Sequence, residues 1–121
     1  MSRILALDDV QDAVQLIKRI LERRGYTVDI FTEEEQALQF ISEHEVDLAI
    51  LDIKLKKMDG VQVLEEVQKI SPQTRVIMLT GYPTLETARD SLKLGAAKYL
   101  VKPIDKFELE EMVSEVLQGE Q

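Results

Sequence analysis

The chain has 121 residues, 45% of them apolar, and sets 15 Lys and Arg against 23 Asp and Glu for a formal net charge of −8. That acidic balance argues against a surface built to neutralise nucleic-acid phosphates or anionic lipid, and the lack of cysteine excludes disulfides, thiolate nucleophiles and Cys-based zinc sites. With His44 as the only histidine, carboxylates, lysines and hydroxyls are left to carry any chemistry.

The first apolar run is Ile4–Leu7. Val14, Ile17 and Leu21 then recur at spacings of three and four, the stripe of a helix with one buried face. Arg23 and Arg24 before Gly25 end that helix, with positive charge where its dipole favours it. Val28–Phe31 reads as a second strand. Thr32 with Glu35 has the spacing of a capping box, after which Ala37, Leu38 and Ile41 share a face. Leu48–Leu51 is apolar without alternation, as expected of a strand covered on both sides. Beyond Asp59-Gly60, the positions Val61, Leu64 and Val67 mark a third helix ending near Ser71-Pro72. Val76–Leu79 is the fourth strand, and Leu85, Ala88 and Leu92 stripe a fourth helix that stops at Gly95. Tyr99–Val101 makes a short fifth strand. Leu109, Met112, Val113 and Val116 stripe the last helix, and 118–121 is expected to fray.

Strands separated by helical patterns imply βαβ crossovers, hence an α/β fold with a doubly wound five-stranded parallel sheet. Five βα units are too few for a barrel, which needs eight. No linker or low-complexity tract interrupts the chain, so residues 1–121 are expected to form one domain. The start has too short an apolar stretch for a signal peptide. No run approaches the ~20 residues of a membrane span, and a cytoplasmic protein with no membrane contact is expected.

The residues able to do chemistry gather at one place in this architecture. Asp8 and Asp9 follow the first strand, Asp52 the third, Thr80 closes the fourth and Lys102 follows the fifth. Carboxyl ends of parallel strands line the binding crevice of an open sheet. Taken singly, Asp9 reads equally well as a helix cap, Asp52 as a turn acid, Thr80 as turn chemistry and Lys102 as a solvated lysine. Those separate readings do not explain why polar residues occupy four strand ends on one edge. Clustered carboxylates stay ionised together when a cation lies among them, and oxygen donors suit Mg²⁺. A lysine beside such a site supplies charge for a phosphoryl group, and a carboxylate can itself be the nucleophile.

With their flanks, these residues carry a resemblance. Asp8-Asp9, Leu51-Asp52-Ile53, Met58-Asp59-Gly60, Leu79-Thr80-Gly81-Tyr82 and Gly95-Ala96-Ala97-Lys98-Tyr99-Leu100-Val101-Lys102-Pro103 together resemble the receiver domain of two-component response regulators. The resemblance implies the flavodoxin-like strand order 2-1-3-4-5. It further implies that Asp52 accepts a phosphoryl group from a sensor histidine kinase or phosphotransfer protein. Asp9 and Asp52 would ligate Mg²⁺ directly, Asp8 mainly through water, and the Lys54 backbone carbonyl would be a third protein ligand. Lys102 would pair with a phosphoryl oxygen, Thr80 would hydrogen-bond another, Tyr99 would be the aromatic switch, and a cis peptide bond would precede Pro103. The face of helix 4, strand 5 and helix 5 would then control an output domain or downstream protein, or form a homodimer. Catalysis would be limited to self-phosphorylation and self-dephosphorylation, so no enzyme is expected.

The chain departs from the family pattern in places. Lys56 stands where a proline is common, beside Lys57, making the acceptor loop more basic and less rigid; Pro83 stands where many relatives have a small residue. Met58 is expected to pack in its loop, and Tyr99 alone reads as packing as readily as a switch. An aspartate-nucleophile phosphohydrolase would place a second Asp two residues after the first, and that position is Lys54. A flavin carrier would need a Ser/Thr/Gly-rich phosphate loop where Asp8-Asp9 stand. A degenerate receiver acting only as an interaction module would not need the full set Asp8, Asp9, Asp52, Thr80 and Lys102. The stretch from Thr80 to Ala88 resembles receivers placed ahead of transcriptional activators of the nitrogen-regulator type, so a piece of a longer protein and a stand-alone receiver both remain open.

Overall fold

The computed structural model describes residues 2–55 and 58–119. Lys56, Lys57 and the last two residues of the expected tail, Glu120 and Gln121, lie outside them. The elements alternate throughout: β1 (Arg3–Leu7), α1 (Gln11–Glu22), β2 (Thr27–Phe31), α2 (Glu34–Glu43), β3 (Leu48–Leu51), α3 (Gly60–Ile70), β4 (Arg75–Thr80), α4 (Leu85–Lys93), β5 (Lys98–Val101) and α5 (Lys106–Gln118). The five strands are parallel, as the sequence patterns imply, and stand in the order β2-β1-β3-β4-β5 that the resemblance implies. Gln118 belongs to α5, so that helix runs one residue into the stretch expected to fray.

Alternation along each strand feeds two separate cores. Ile4, Ala6, Leu48, Ile50, Ile77 and Leu79 point to one face and pack with Val14, Ile17 and Leu21 of α1 and Leu109, Val113 and Val116 of α5. Leu5, Leu7, Ala49, Leu51, Val76 and Met78 point to the other, against Ala37 and Ile41 of α2 and Val63, Leu64 and Val67 of α3. A strand buried on both faces needs apolar residues at every position, which is why Leu48–Leu51 shows no alternation.

Two local expectations fail. α2 starts at Glu34 with Glu33 as its N-cap, and no side chain caps it, so Thr32 and Glu35 do not form a capping box. Glu34 is instead turned inward and buried, its Oε2 accepting the Met58 N–H at 3.0 Å. In α4 the expected stripe faces outward: Leu85 is 74% and Leu92 54% exposed, and Ser91 is the residue the helix buries. Periodicity marked the helix correctly but not the face it turns to the sheet. Its start is fixed by a reciprocal box, with the Thr87 N–H donating to Thr84 Oγ1 at 3.0 Å and the Thr84 N–H to Thr87 Oγ1 at 3.3 Å.

Candidate functional site

The register of the sheet brings the site residues together. Leu7 pairs with Leu51, so Asp8 and Asp52 stand side by side one residue past the ladder, and the Asp52 N–H continues it by donating to the Leu7 carbonyl at 3.0 Å. β4 runs farther: Met78 is the partner of Leu51, and Thr80 pairs with Val101 beside Lys102. A cleft of about 540 Å³ opens at these ends, lined by Asp9, Val10, Asp52, Lys54, Gly81, Tyr82 and Lys102. The peptide bond between Lys102 and Pro103 is cis.

Three carboxylates and one ammonium dominate the charge. Oxygen atoms of Asp8, Asp9 and Asp52 lie within 4.8 Å of one another. Lys102 Nζ sits 2.6 Å from Asp8 Oδ2 and 3.8 Å from Asp52 Oδ1, so the lysine is held chiefly by Asp8. Asp8 is 2% exposed and its other oxygen accepts the Val10 N–H at 2.9 Å. Asp9 is therefore not the cap of α1, whose N-cap position is Val10 with no side-chain bond. The Asp52 carboxyl is pushed up to about 6, first by burial and then by Asp8 and Asp9, against the lowering effect of Lys102 and of the Ile53 N–H. Such a carboxylate is held in a field more negative than it tolerates, and a cation among the three acids would relieve it.

The supporting shell is tight. Gly60 opens α3 against the segment that follows β3, its N–H donating to the Ile53 carbonyl at 2.6 Å. A Cβ at Gly60 would run into the backbone carbonyl oxygen of Asp52. Thr80 is fully buried, and its Oγ1 accepts the Tyr82 N–H at 3.0 Å. Tyr99 packs against the core on the α2–α3 side, with its hydroxyl 2.8 Å from Thr87 Oγ1 on α4. The structure thus gathers Asp8, Asp9, Asp52 and Lys102, sets Thr80 in the adjoining wall, brings Lys54 to the cleft and points the Tyr99 hydroxyl at α4. Met58 is partly buried against the same core, as expected.

Four contributors receive no role of their own from the sequence, although Gly60 and Tyr82 stand within its motifs. Tyr82 lines the cleft, and its position just after Thr80-Gly81 was a usable signal. Gly60, Glu34 and Thr87 act through contacts with distant segments, which spacing along the chain does not reveal.

The family model of the response regulator receiver domain matches residues 4–114. The transcriptional regulatory protein ZraR of Klebsiella oxytoca is 35% identical over 114 residues, covering 94% of this chain and 26% of that protein, so the chain spans about a quarter of such a relative. Among solved structures, a CheY-like response regulator receiver domain protein from Methanospirillum hungatei superposes with a TM-score of 0.95 at 38% identity, covering 98% of this chain and 95% of that one. The response regulator protein TrrA from Thermotoga maritima, in complex with Mg²⁺ and BeF, gives a TM-score of 0.87 at 33% identity over 97% of this chain and 100% of that one.

Proposed function

The chain belongs to the response regulator receiver domains, and from that membership we propose that it is a phosphorylatable switch whose acceptor is Asp52. The observation that carries this reading is the position of Asp52 itself. It is buried at the cleft floor, within reach of two further carboxylates and 3.8 Å from an ammonium. A phosphohistidine on a sensor histidine kinase or phosphotransfer protein is the donor. An Asp52 oxygen attacks phosphorus, the P–N bond breaks, and the imidazole leaves with the electron pair and takes a proton from solvent. Asp52 is left as an acyl phosphate.

The donor set fits Mg²⁺, since three anionic oxygens lie within 4.8 Å of one another. Asp9 and Asp52 would hold it directly, Asp8 mainly through water, and the Lys54 backbone carbonyl would be the third protein ligand. When bound, the ion supplies positive charge that offsets the carboxylates and the phosphoryl oxygens. The relative from Thermotoga maritima, solved with Mg²⁺ and BeF, supports the same reading.

Lys102 takes a second phosphoryl oxygen, loosening its hold on Asp8. Thr80 turns its hydroxyl toward a third and gives up the Tyr82 N–H, and Tyr99 follows by leaving Thr87. The added charge of roughly −1.5 to −2 thereby biases the face of α4, β5 and α5 toward a second arrangement read by an output domain, a downstream protein or a second copy. Residues 1–121 act as one receiver domain in the cytoplasm, a signalling element and not an enzyme acting on other substrates; the domain itself binds neither nucleic acid nor membrane.

Incubation with Mg²⁺ and acetyl phosphate, followed by intact mass, tests the acceptor. Wild type should gain one phosphoryl group and Asp52→Asn none. A gain that survives Asp52→Asn moves the acceptor elsewhere, and no gain on wild type favours an interaction module.

A further inference from the structure

Glu34 is 2% exposed, as deeply buried as Asp8, and no step of the proposed phosphoryl transfer uses it. A buried carboxyl costs stability unless hydrogen bonds replace its water. Glu34 opens α2, yet its Oε2 reaches away from that helix to accept the N–H of Met58, 24 residues on in the loop after β3, at 3.0 Å.

That bond closes a ring beneath the acid cluster. The Asp8 N–H donates to the Phe31 carbonyl at 3.2 Å, where β2 ends. Three residues later Glu34 crosses to Met58. Beyond Met58, the Gly60 N–H returns to the Ile53 carbonyl at 2.6 Å, and the Asp52 N–H meets the Leu7 carbonyl next to Asp8 at 3.0 Å. Every other link in this ring is backbone to backbone; Glu34 supplies its side chain. The arc from Ile53 to Met58 carries Lys54. Because a Cβ at Gly60 would run into the Asp52 carbonyl oxygen, the far end of that arc abuts the backbone of Asp52 itself.

We propose that Glu34 is a positioning residue for the metal site, its carboxyl holding the loop after β3 in the shape in which Asp52 and the Lys54 carbonyl meet the cation. The inference rests on the acid cluster binding Mg²⁺. Groups that orient metal ligands from behind set affinity without touching the ion. With the Met58 tie removed, the loop has more shapes to lose when the cation binds, and affinity falls.

Titration of isotope-labelled protein with MgCl₂, without phosphodonor, reads the affinity from the NMR shifts of the Asp8, Asp9 and Asp52 amides. Glu34→Met keeps the reach of the side chain but removes the acceptor, and should bind Mg²⁺ roughly tenfold more weakly than wild type. Glu34→Ala makes the same comparison with a smaller side chain if the methionine disturbs folding. Glu34→Gln keeps a carbonyl oxygen at the same reach and should stay within about threefold of wild type. In cation-free protein the Met58 amide should exchange with solvent at least about tenfold faster in Glu34→Met, and near the wild-type rate in Glu34→Gln. Ile17→Val, which loosens the core on the opposite face of the sheet, should leave the affinity unchanged. Wild-type affinity in Glu34→Met overturns the positioning role alone. Equal weakening in Glu34→Gln or in Ile17→Val overturns it too, because the bond to Met58 would not be what carries the effect. Weaker binding with unchanged Met58 exchange has the same consequence. A wild type whose amides do not respond to Mg²⁺ overturns the metal reading and the positioning role together.

Discussion

Asp52 is buried where an ionised carboxylate is poorly solvated, and its neighbours Asp8 and Asp9 add repulsion that Lys102 only partly offsets. Lys102 is closer to Asp8, at 2.6 Å, than to Asp52, at 3.8 Å, so its charge is shared unequally. An acid raised from 3.8 to about 6 on folding binds its proton more tightly in the native state. The burden on stability is absent well below the lower value, grows as pH rises between the two, and is complete above about 6. Removing the carboxylate should therefore stabilise the metal-free protein far more in neutral solution than in acid. We expect Asp52→Asn to add about 2–3 kcal/mol to the unfolding free energy at about pH 8, and only about 0.5 kcal/mol at about pH 4. Urea unfolding in chelator at the two pH values measures this, and an equal effect at both would rule out the charge explanation.

Among the helices, α4 is anchored differently from the rest. α1, α3 and α5 bury rows of Val, Leu and Ile, whereas α4 buries Ser91, whose Oγ has no hydrogen-bond partner among the described residues, and leaves Leu85 and Leu92 in solvent. What fixes it is polar and local: the Thr84–Thr87 box and the bond from Thr87 to Tyr99. Few buried apolar contacts make for low local stability. Amide hydrogen exchange should accordingly be at least about tenfold faster along α4 than along α1 or α3; equal protection would refute this ranking of the helices. The same helix shows how far the sequence could be read. Leu85, Ala88 and Leu92 correctly announced a helix, because spacing reports the pitch. Which side meets the sheet depends on Tyr99 and Thr87, which come from separate segments. The strands were more legible, since Leu48–Leu51 needs apolar residues on both faces wherever its partners lie. The gathering of Asp8, Asp9, Asp52 and Lys102 followed from topology alone. The contacts of Glu34 with Met58 and of Gly60 with the Asp52 backbone became visible only once the loop after β3 was in place.

At the scale of the whole molecule, the sheet separates the two cores while all the recognised chemistry sits on one rim. Asp8 and Asp52 follow β1 and β3, central strands packed on both faces, whereas Lys102 follows the edge strand β5, in which Leu100 is the buried residue. Among the described residues, no helix is long and apolar enough to cross a membrane. The division of the interior has a consequence for how the protein tolerates sequence change. Ile17 lies in the core under α1 and α5, and Ile41 in the one under α2 and α3. Side chains on opposite faces of one sheet share backbone but not packing partners. Ile17→Val and Ile41→Val should each cost about 0.5–1.5 kcal/mol and should add within about 0.5 kcal/mol in the double variant; a larger coupling in urea unfolding would mean that the sheet transmits packing strain. If the two effects are independent, mutational drift on one side need not be repaired on the other, and each half of the interior can diverge on its own while the rim between them stays fixed.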